Sequence, residues 1–203
     1  MSESPAAAGD SDSDFMKRIF TALDISEEAR RKVSGYIAEL RAKFSNVRVG
    51  WERDEKLHLT LKFLGDIDET RLRDLTEAVS ETAKQISEFK LQISNTGAFP
   101  SKKKARVLWL GIADEKGSLQ KLNEILENEC KRKGIAEETR NFKAHLTIAR
   151  LREPHQSKEL IENHLQNEFE SDKFTVSGIT IYESQLQKSG SIYTKYKNIN
   201  LQG

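Results

Sequence analysis

Apolar residues recur along this chain at two spacings, one typical of β-strands and the other of α-helices. Residues 57–64 (LHLTLKFL) alternate apolar and polar positions, which predicts a strand that ends at Gly65 and Asp66. Residues 27–40 carry apolar positions three or four apart, which predicts a helix capped by Ser26. Similar patterns predict strands over 17–24, 89–95, 106–112, 144–151, 173–183 and 191–199, helices over 68–86, 116–132 and 156–167, and a turn over 97–100.

The predicted elements form an internal repeat. Strand, helix, histidine-bearing strand, helix and strand follow one another in that order twice. The segment LHLTLKFLGD in the first half corresponds to AHLTIARLRE in the second, so His58 and His145 occupy the same place in the two copies. The simplest interpretation is a duplicated pair of α/β lobes that face each other across a cleft, with one histidine strand on each side.

Each histidine strand presents an imidazole and a hydroxyl on one face. Side chains two residues apart share a face of a strand, so His58 lies beside Thr60, and His145 lies beside Thr147. The leucines and Phe63 fall on the opposite face and are predicted to be core. A neutral imidazole accepts a proton and a charged one donates a proton, and each such transfer accelerates a reaction roughly 10²–10⁴-fold. Two facing pairs suit in-line attack on a phosphodiester, with hydroxyls on the non-bridging oxygens and without need of a metal.

Three neighbouring residues are further candidates for substrate binding. Strict alternation places Arg150 on the face opposite His145, so its guanidinium reaches a phosphate only through a bulge or the end of the strand. Phe20 either stacks on a nucleobase or packs in the core. Lys62 shares its face with His58, where it either meets the 3′-terminal phosphate region of a substrate or belongs to a solvated strand end.

Other polar and reactive side chains lie outside the repeat. Lys102–Lys104 and Arg106 follow the predicted turn, and they either track an RNA backbone beside the cleft or form a solvated loop. His155 and His164 have polar, helix-like spacing and are predicted to lie on the surface. Cys130 has no histidine or carboxylate partner at a spacing typical of a catalytic triad.

Composition excludes several classes of protein. The 203 residues are 36% hydrophobic and 32% charged, with 3 Pro and 11 Gly, which excludes collagen-like and Pro/Gly-rich disordered chains. No apolar run reaches about 18 residues, and the N-terminus lacks the basic and apolar regions of a signal peptide. A single cysteine forms no internal disulfide. We therefore expect a cytoplasmic protein that does not contact membranes.

The net charge of +1 conceals an acidic N-terminus. Residues 1–14 contain four acidic residues, no Lys or Arg and no apolar periodicity, so we expect a disordered tail. The remaining residues, 15–203, carry a net charge of +5 (33 basic against 28 acidic) and form the two-lobed domain. This excess permits an anionic ligand without requiring one.

Several segments together resemble the two-histidine phosphoesterase superfamily, and within it the RNA 2′,3′-cyclic phosphodiesterase branch, also known as 2′-5′ RNA ligases. The resemblance covers residues 17 to about 201 and rests on RIFTALDI, HLTLKFLGD, GAFPS, ARVLWLGI, HLTIAR and ESQLQKSGSIYTKY. It implies an α+β fold of two duplicated lobes with pseudo-two-fold symmetry, each a mostly antiparallel sheet flanked by helices, with a central cleft. It also implies that hydrolysis needs no metal and no nucleotide cofactor.

The same resemblance implies a reaction and its residues. The expected substrate is RNA or a nucleotide that ends in a 2′,3′-cyclic phosphate, which is opened to a 2′-phosphomonoester, with reversible 2′-5′ ligation as a second activity. His58 resembles the proton donor to the leaving 3′ oxygen, and His145 resembles the base that activates water, although the pseudo-symmetry permits exchanged roles. Thr60, Thr147 and Arg150 resemble the phosphate-binding residues. We expect the protein to be a monomer.

Three alternative functions remain open at the level of sequence. The first is a cyclic phosphodiesterase that acts on a small molecule, such as ADP-ribose cyclic phosphate, or on 2′-5′ oligoadenylate. The second is a non-catalytic module that binds RNA or a nucleotide in the same cleft. The third is a metal hydrolase with histidine ligands, which is disfavoured because the chain lacks the H-E-x-x-H and H-x-H-x-D patterns.

Overall fold

The computed structural model describes residues 16–187 and 190–203, in which helices and strands alternate. The acidic tail predicted over 1–14 lies outside the described residues. The helices are α1 (Glu27–Lys43), α2 (Glu69–Ala83), α3 (Ser118–Arg132) and α4 (Lys158–Gln166). The strands are β1 (Lys17–Asp24), β2 (Val49–Trp51), β3 (His58–Ile67), β4 (Phe89–Phe99), β5 (Val107–Ala113), β6 (His145–Leu151), β7 (Phe174–Val176), β8 (Gly178–Gln187) and β9 (Gly190–Asn200). Short 3₁₀ helices occupy Asp54–Lys56, Lys102–Lys104 and Pro154–Ser157.

The strands form two antiparallel sheets. The first sheet has the order β3-β1-β8-β9, and the second has the order β2-β6-β5-β4-β7. The histidine strand β3 is at the edge of its sheet, and β6 is covered on its outer side only by the three-residue strand β2. Cα atoms of β3 and β6 approach within 8 Å of each other. The predicted α+β fold of two lobes with antiparallel sheets is therefore confirmed, and its two histidine strands face each other.

The two halves of the repeat exchange their third strands. In the first sheet β1 and β3 come from the first half of the chain, but the neighbour of β1 on the other side is β8 from the second half. In the second sheet β5 and β6 come from the second half of the chain, and the neighbour of β5 on the other side is β4 from the first half. The buried apolar side chains of both halves form one continuous core. The lobes are thus not two consecutive segments of chain.

Capping and periodicity explain where the helices begin. The Ser26 hydroxyl accepts a hydrogen bond from the Ala29 amide at 3.2 Å and starts α1, as predicted. Asp68 caps α2 in the same way through the Arg71 amide. Helices α2 and α3 pack against each other, and α2 also packs against β8 and β9 of the first sheet.

No helix in the described ranges is both long and apolar enough to span a membrane.

His164 lies in the interior of the protein, so the prediction that it is a surface residue is wrong. The Tyr36 hydroxyl lies 2.9 Å from His164 Nδ1, and the carbonyl oxygens of Gly97 and Trp109 lie 3.2 Å from Nε2. Nε2 therefore carries the proton and donates it to the two carbonyls, while Nδ1 accepts from the tyrosine. Burial lowers the pKa of His164, which keeps the ring neutral. His155 is exposed, as predicted.

Strand β4 extends to Phe99, so the prediction of a turn over 97–100 is wrong for residues 97–99. Gly97 pairs with Trp109 on β5, and the indole lies directly over the glycine. A Cβ atom at Gly97 would lie 2.0 Å from the indole Cζ2, so no other residue fits without moving the ring. Glycine, which usually indicates a turn, here permits a close approach between a ring and a strand.

We expect Gly97→Ala to lower the free energy of unfolding by about 1–3 kcal/mol, because the new methyl group overpacks the contact with Trp109. Urea denaturation measures the change. Gly35→Ala is the control, since nothing lies within 4 Å of a Cβ at that site in α1 and alanine favours the helix by roughly 0.5–1 kcal/mol. Equal effects of the two substitutions would contradict the packing role of Gly97.

Candidate active site

A β-bulge follows the H-x-T segment of each histidine strand. On β3, Thr60 pairs with Ala22 but Lys62 pairs with Thr21, so Leu61 is an extra residue. On β6 the same shift makes an extra residue of Ile148, between the paired residues Thr147 and Ala149. Two consecutive side chains in each strand therefore point to the interior, and the alternation of faces is inverted for the residues directly after them.

The bulges decide which side chains reach the cleft. The bulge in β6 turns Arg150 to the side of His145, and both side chains line the cleft. Phe63 occupies the equivalent place on β3 and is 49% exposed, so the prediction that it is core is wrong. Lys62 is turned inward and is 5% exposed, so the prediction that it shares a face with His58 is also wrong.

Lys62 forms a buried ion pair instead. Its ammonium nitrogen lies 2.6 and 2.9 Å from the two carboxylate oxygens of Glu127 on α3. The Glu138 amide also lies 3.3 Å from this carboxylate. Lys62 therefore joins β3 to α3 and is not among the residues that line the cleft between the histidine strands.

Both histidine–threonine pairs line one cleft. The cleft is open to solvent and contains about 630 Å³ of empty space, solvent at its mouth included. Thr60 is exposed and Thr147 is half-buried, so both hydroxyls are accessible to a ligand. The lining residues are Phe20, Glu52, Lys56, His58, Thr60, Phe63, His145, Thr147, Arg150, Ser184 and Tyr193.

Three aromatic rings surround His58. Phe20 stacks on the imidazole with centroids 4.9 Å apart, Tyr182 lies 5.6 Å away, and Tyr193 meets it edge-on at 5.4 Å. Phe20 is only 3% exposed, which favours the core interpretation over stacking on a nucleobase. The aromatic rings thus fix the orientation of the imidazole.

Burial among these rings lowers the pKa of His58 to about 4. The negative charge of Asp24, which pairs with His58 across the β1–β3 ladder, acts in the opposite direction but is outweighed. Burial favours the neutral form of Asp24 as well, yet hydrogen bonds from Lys195 and Tyr182 lower its pKa overall. A fixed carboxylate therefore stands behind a neutral imidazole at neutral pH.

His145 is held by the backbone. Its Nδ1 lies 2.7 Å from the carbonyl oxygen of Lys143, so Nδ1 carries a proton and Nε2 is the nitrogen available for chemistry. Phe99 meets the ring edge-on at 4.9 Å, and Trp109 lies beyond at 6.4 Å. Burial lowers the pKa of His145, and the positive charges of Lys143 and Arg150 lower it further against the pull of the carbonyl.

Glu52, Lys56 and Tyr193 also line the cleft and were not predicted from the sequence. Glu52 follows β2, a strand too short to show periodicity, and its Oε1 lies 3.4 Å from the Nε of Arg150. Lys56 lies over the ring of Tyr193 at 5.5 Å. Tyr193 lies within ESQLQKSGSIYTKY, a segment that carried the resemblance, but its position offered no chemical reason to select it.

The lysine-rich loop and the cysteine are peripheral to this cleft. Lys102–Lys104 form an exposed 3₁₀ turn, and both interpretations of it, RNA contact and solvated loop, stay open. Cys130 is buried in α3, where burial raises the pKa of its thiol to about 12. Within 16–187 and 190–203, no three His, Cys, Asp or Glu side chains are grouped so that they could hold a metal ion.

Comparison with known proteins identifies relatives over most of the chain. A family model described as LigT like Phosphoesterase matches residues 23–109 and again 110–193. The chain is 33% identical to an RNA 2′,3′-cyclic phosphodiesterase from Methanothermobacter thermautotrophicus, over 87% of this chain and 95% of the relative. It is 32% identical to a protein of the same name from Thermotoga maritima, over 87% and 91%.

Solved structures share the fold. A protein of Thermus thermophilus superposes with a TM-score of 0.74 at 23% identity, over 92% of this chain and 98% of that one. Escherichia coli LigT in complex with 3′-AMP superposes with a TM-score of 0.71 at 23% identity, over 93% and 99%.

We expect Lys62→Met to lower the free energy of unfolding by about 1–3 kcal/mol, because it leaves the partly buried Glu127 carboxylate without its partner. Urea denaturation measures this loss, and the double variant Lys62→Met/Glu127→Gln should recover part of it. The affinity for inorganic phosphate, measured by calorimetry, should not change. A weaker phosphate affinity with an unchanged free energy of unfolding would show that Lys62 binds phosphate and does not stabilise the fold.

Proposed function

The chain belongs to the LigT-like phosphoesterase family, and we propose that it hydrolyses 2′,3′-cyclic phosphate ends of RNA to 2′-phosphomonoesters. The observation that carries this proposal is the cleft itself. Two equivalent strands bring one imidazole and one hydroxyl each to the same space, beside the guanidinium of Arg150. The names of the relatives, RNA 2′,3′-cyclic phosphodiesterase, support RNA as the substrate.

In the proposed reaction, water attacks the phosphorus of the cyclic phosphate in line with the leaving 3′ oxygen. His145 Nε2 accepts a proton from the water as the new P–O bond forms. His58 donates a proton to the 3′ oxygen as its P–O bond breaks, so the product keeps its phosphate on the 2′ oxygen. These two transfers need one neutral and one charged imidazole. When the 5′ hydroxyl of a second RNA attacks the phosphorus in place of water and the 3′ oxygen leaves as before, the same two proton transfers give a 2′-5′ phosphodiester, which is ligation.

Charge on the phosphate is stabilised by groups already in place. The hydroxyls of Thr60 and Thr147 and the guanidinium of Arg150 donate to the non-bridging oxygens, where negative charge develops as water attacks. Both imidazoles are neutral in the free protein at neutral pH, so the acid gains its proton when the anionic substrate raises its pKa. All these groups belong to one chain, which supports catalysis by a monomer.

We also propose that the protein works in the cytosol. Its lone cysteine, Cys130, is buried and has no disulfide partner in the described residues, as is usual for proteins of reducing compartments.

The experiment that tests the proposed function supplies an oligonucleotide that ends in a 2′,3′-cyclic phosphate, with EDTA present. We expect hydrolysis that leaves the phosphate on the 2′ hydroxyl, identified by mass spectrometry and selective phosphatase treatment. Faster turnover of a cyclic mononucleotide than of the oligonucleotide would identify a small-molecule enzyme instead. Binding without any turnover would identify a binding module, and loss of activity in EDTA would identify a metal hydrolase.

We expect His58→Ala and His145→Ala each to reduce kcat by at least about 10²-fold, because each removes one proton transfer. The substrate should still bind, and the circular dichroism spectrum should be retained. His155→Ala is the matched control, since His155 is exposed and outside the cleft. A loss of only a few-fold from either cleft variant would remove that histidine from the mechanism.

The pH dependence of kcat/KM is expected to be bell-shaped with its maximum below pH 6.5. This parameter reports the free protein, in which the pKa of His58 is lowered to about 4 and that of His145 is also lowered from 6.5. Activity falls at low pH because the base becomes protonated, and it falls at high pH because the acid loses its proton. Rates measured from pH 4 to 9 test this, and a flat profile or a maximum above pH 7 would contradict it.

A further inference from the structure

An acidic side chain lies inside a cleft that is proposed to bind an anion. Glu52 lines the cleft together with both histidines, and its side chain is only 17% exposed. Its amide donates to the carbonyl of Ile148 at 2.9 Å, so the backbone that carries Glu52 is fixed to the bulge of β6. The carboxylate lies 3.4 Å from Arg150. Burial raises the pKa of Tyr193 on the other sheet, and the charge of Glu52 raises it further. The negative charge is therefore held in the lining of the cleft, largely shielded from solvent and paired with Arg150.

The charged side chains of the cleft match a singly charged ligand. Lys56 and Arg150 contribute two positive charges, and Glu52 contributes one negative charge. The lowered pKa values of His58 and His145 leave both imidazoles neutral at neutral pH. In the free protein at neutral pH the lining therefore carries a net charge of +1, and it would carry +2 without Glu52.

The proposed reaction changes the charge of its ligand by one unit. The cyclic phosphate is a diester with a single negative charge. Addition of water breaks one P–O bond and gives a monoester, whose second ionisation has a pKa near 6, so at neutral pH the product releases a proton and carries two charges. A cleft of net charge +1 complements the substrate, and a carboxylate within it repels the product more strongly.

We propose that Glu52 makes the cleft select singly charged phosphodiesters over doubly charged phosphomonoesters, and so promotes release of the product. The inference rests on the proposed function, because it takes the cyclic phosphate as substrate and the monoester as product. Glu52 is a specificity-determining residue here and takes no part in proton transfer. Its ion pair with Arg150 would change the affinities for both ligands by the same factor. Its negative charge changes the ratio of the two affinities, because it repels a doubly charged ligand more strongly than a singly charged one.

The test compares Glu52→Gln with the unmodified protein, using adenosine 2′,3′-cyclic phosphate as substrate and 2′-AMP as product inhibitor. At pH 8 we expect the variant to lower the inhibition constant of 2′-AMP about tenfold more than it lowers KM. At pH 5, where 2′-AMP carries one charge, this difference should disappear. Charges outside the lining of the cleft, such as that of Lys143, are the same in the variant and in the unmodified protein, so their effects cancel in the comparison.

Glu153→Gln is the matched control. Glu153 also pairs with an arginine, Arg48 at 3.1 Å, and is partly buried, but it does not line the cleft. It should leave the ratio of the inhibition constant to KM unchanged.

Equal shifts of KM and the inhibition constant at pH 8, or a difference that persists at pH 5, would overturn the role of Glu52. Absence of turnover by the unmodified protein would contradict the proposed function instead. In that case the dissociation constants of the cyclic nucleotide and of 2′-AMP, measured by calorimetry, still determine whether Glu52 discriminates between the two charges.

Discussion

The whole site depends on one backbone irregularity that occurs twice. A regular strand with the sequence of β3 or β6 would turn Arg150 and Phe63 into the core and Lys62 out of it. The extra residue in each strand buries two successive side chains and then returns the next to the cleft. Because the bulge lies directly after the threonine, the imidazole and hydroxyl before it remain on a regular and rigid segment. Each of the two strands thus supplies side chains to the cleft and side chains to the core.

The two halves of the cleft are equivalent in backbone but not in electrostatics. Asp24 lies opposite His58 on the neighbouring strand, whereas Gly111 takes that place opposite His145. Ala22 lies beside Thr60, whereas the equivalent neighbour of Thr147 is Trp109. Each imidazole interacts with the backbone two residues before it, at Lys56 and at Lys143, but only His58 also has a carboxylate opposite it. In the proposed mechanism, this asymmetry gives the two equivalent strands different roles in proton transfer.

Periodicity was sufficient to predict the four α-helices of the described ranges and most of their strands, because each buries an apolar face whose spacing is visible in the sequence. It failed where tertiary contacts decide the local structure. Gly97 resembles a turn residue until Trp109 is placed over it, and His164 resembles a surface residue although it follows Leu160 by one helical turn on the buried face. The bulges could not be predicted because they are defined by how β3 and β6 pair with their neighbouring strands, which the sequence of one strand does not show. The histidines and threonines could be found since they precede the bulges, and Glu52 could not, because β2 is too short to show a pattern.

The exchange of third strands has a consequence for how such a molecule could arise. A single copy of the repeat has a two-stranded sheet of its own and a third strand that fits only beside the sheet of another copy. Two identical copies would complete each other as a strand-swapped pair, with one histidine from each partner in a shared groove. Joining such a pair end to end gives the connectivity seen here, and it frees the two sides of the groove to diverge. The enzyme's symmetry is in this sense the symmetry of a dimer retained within one polypeptide.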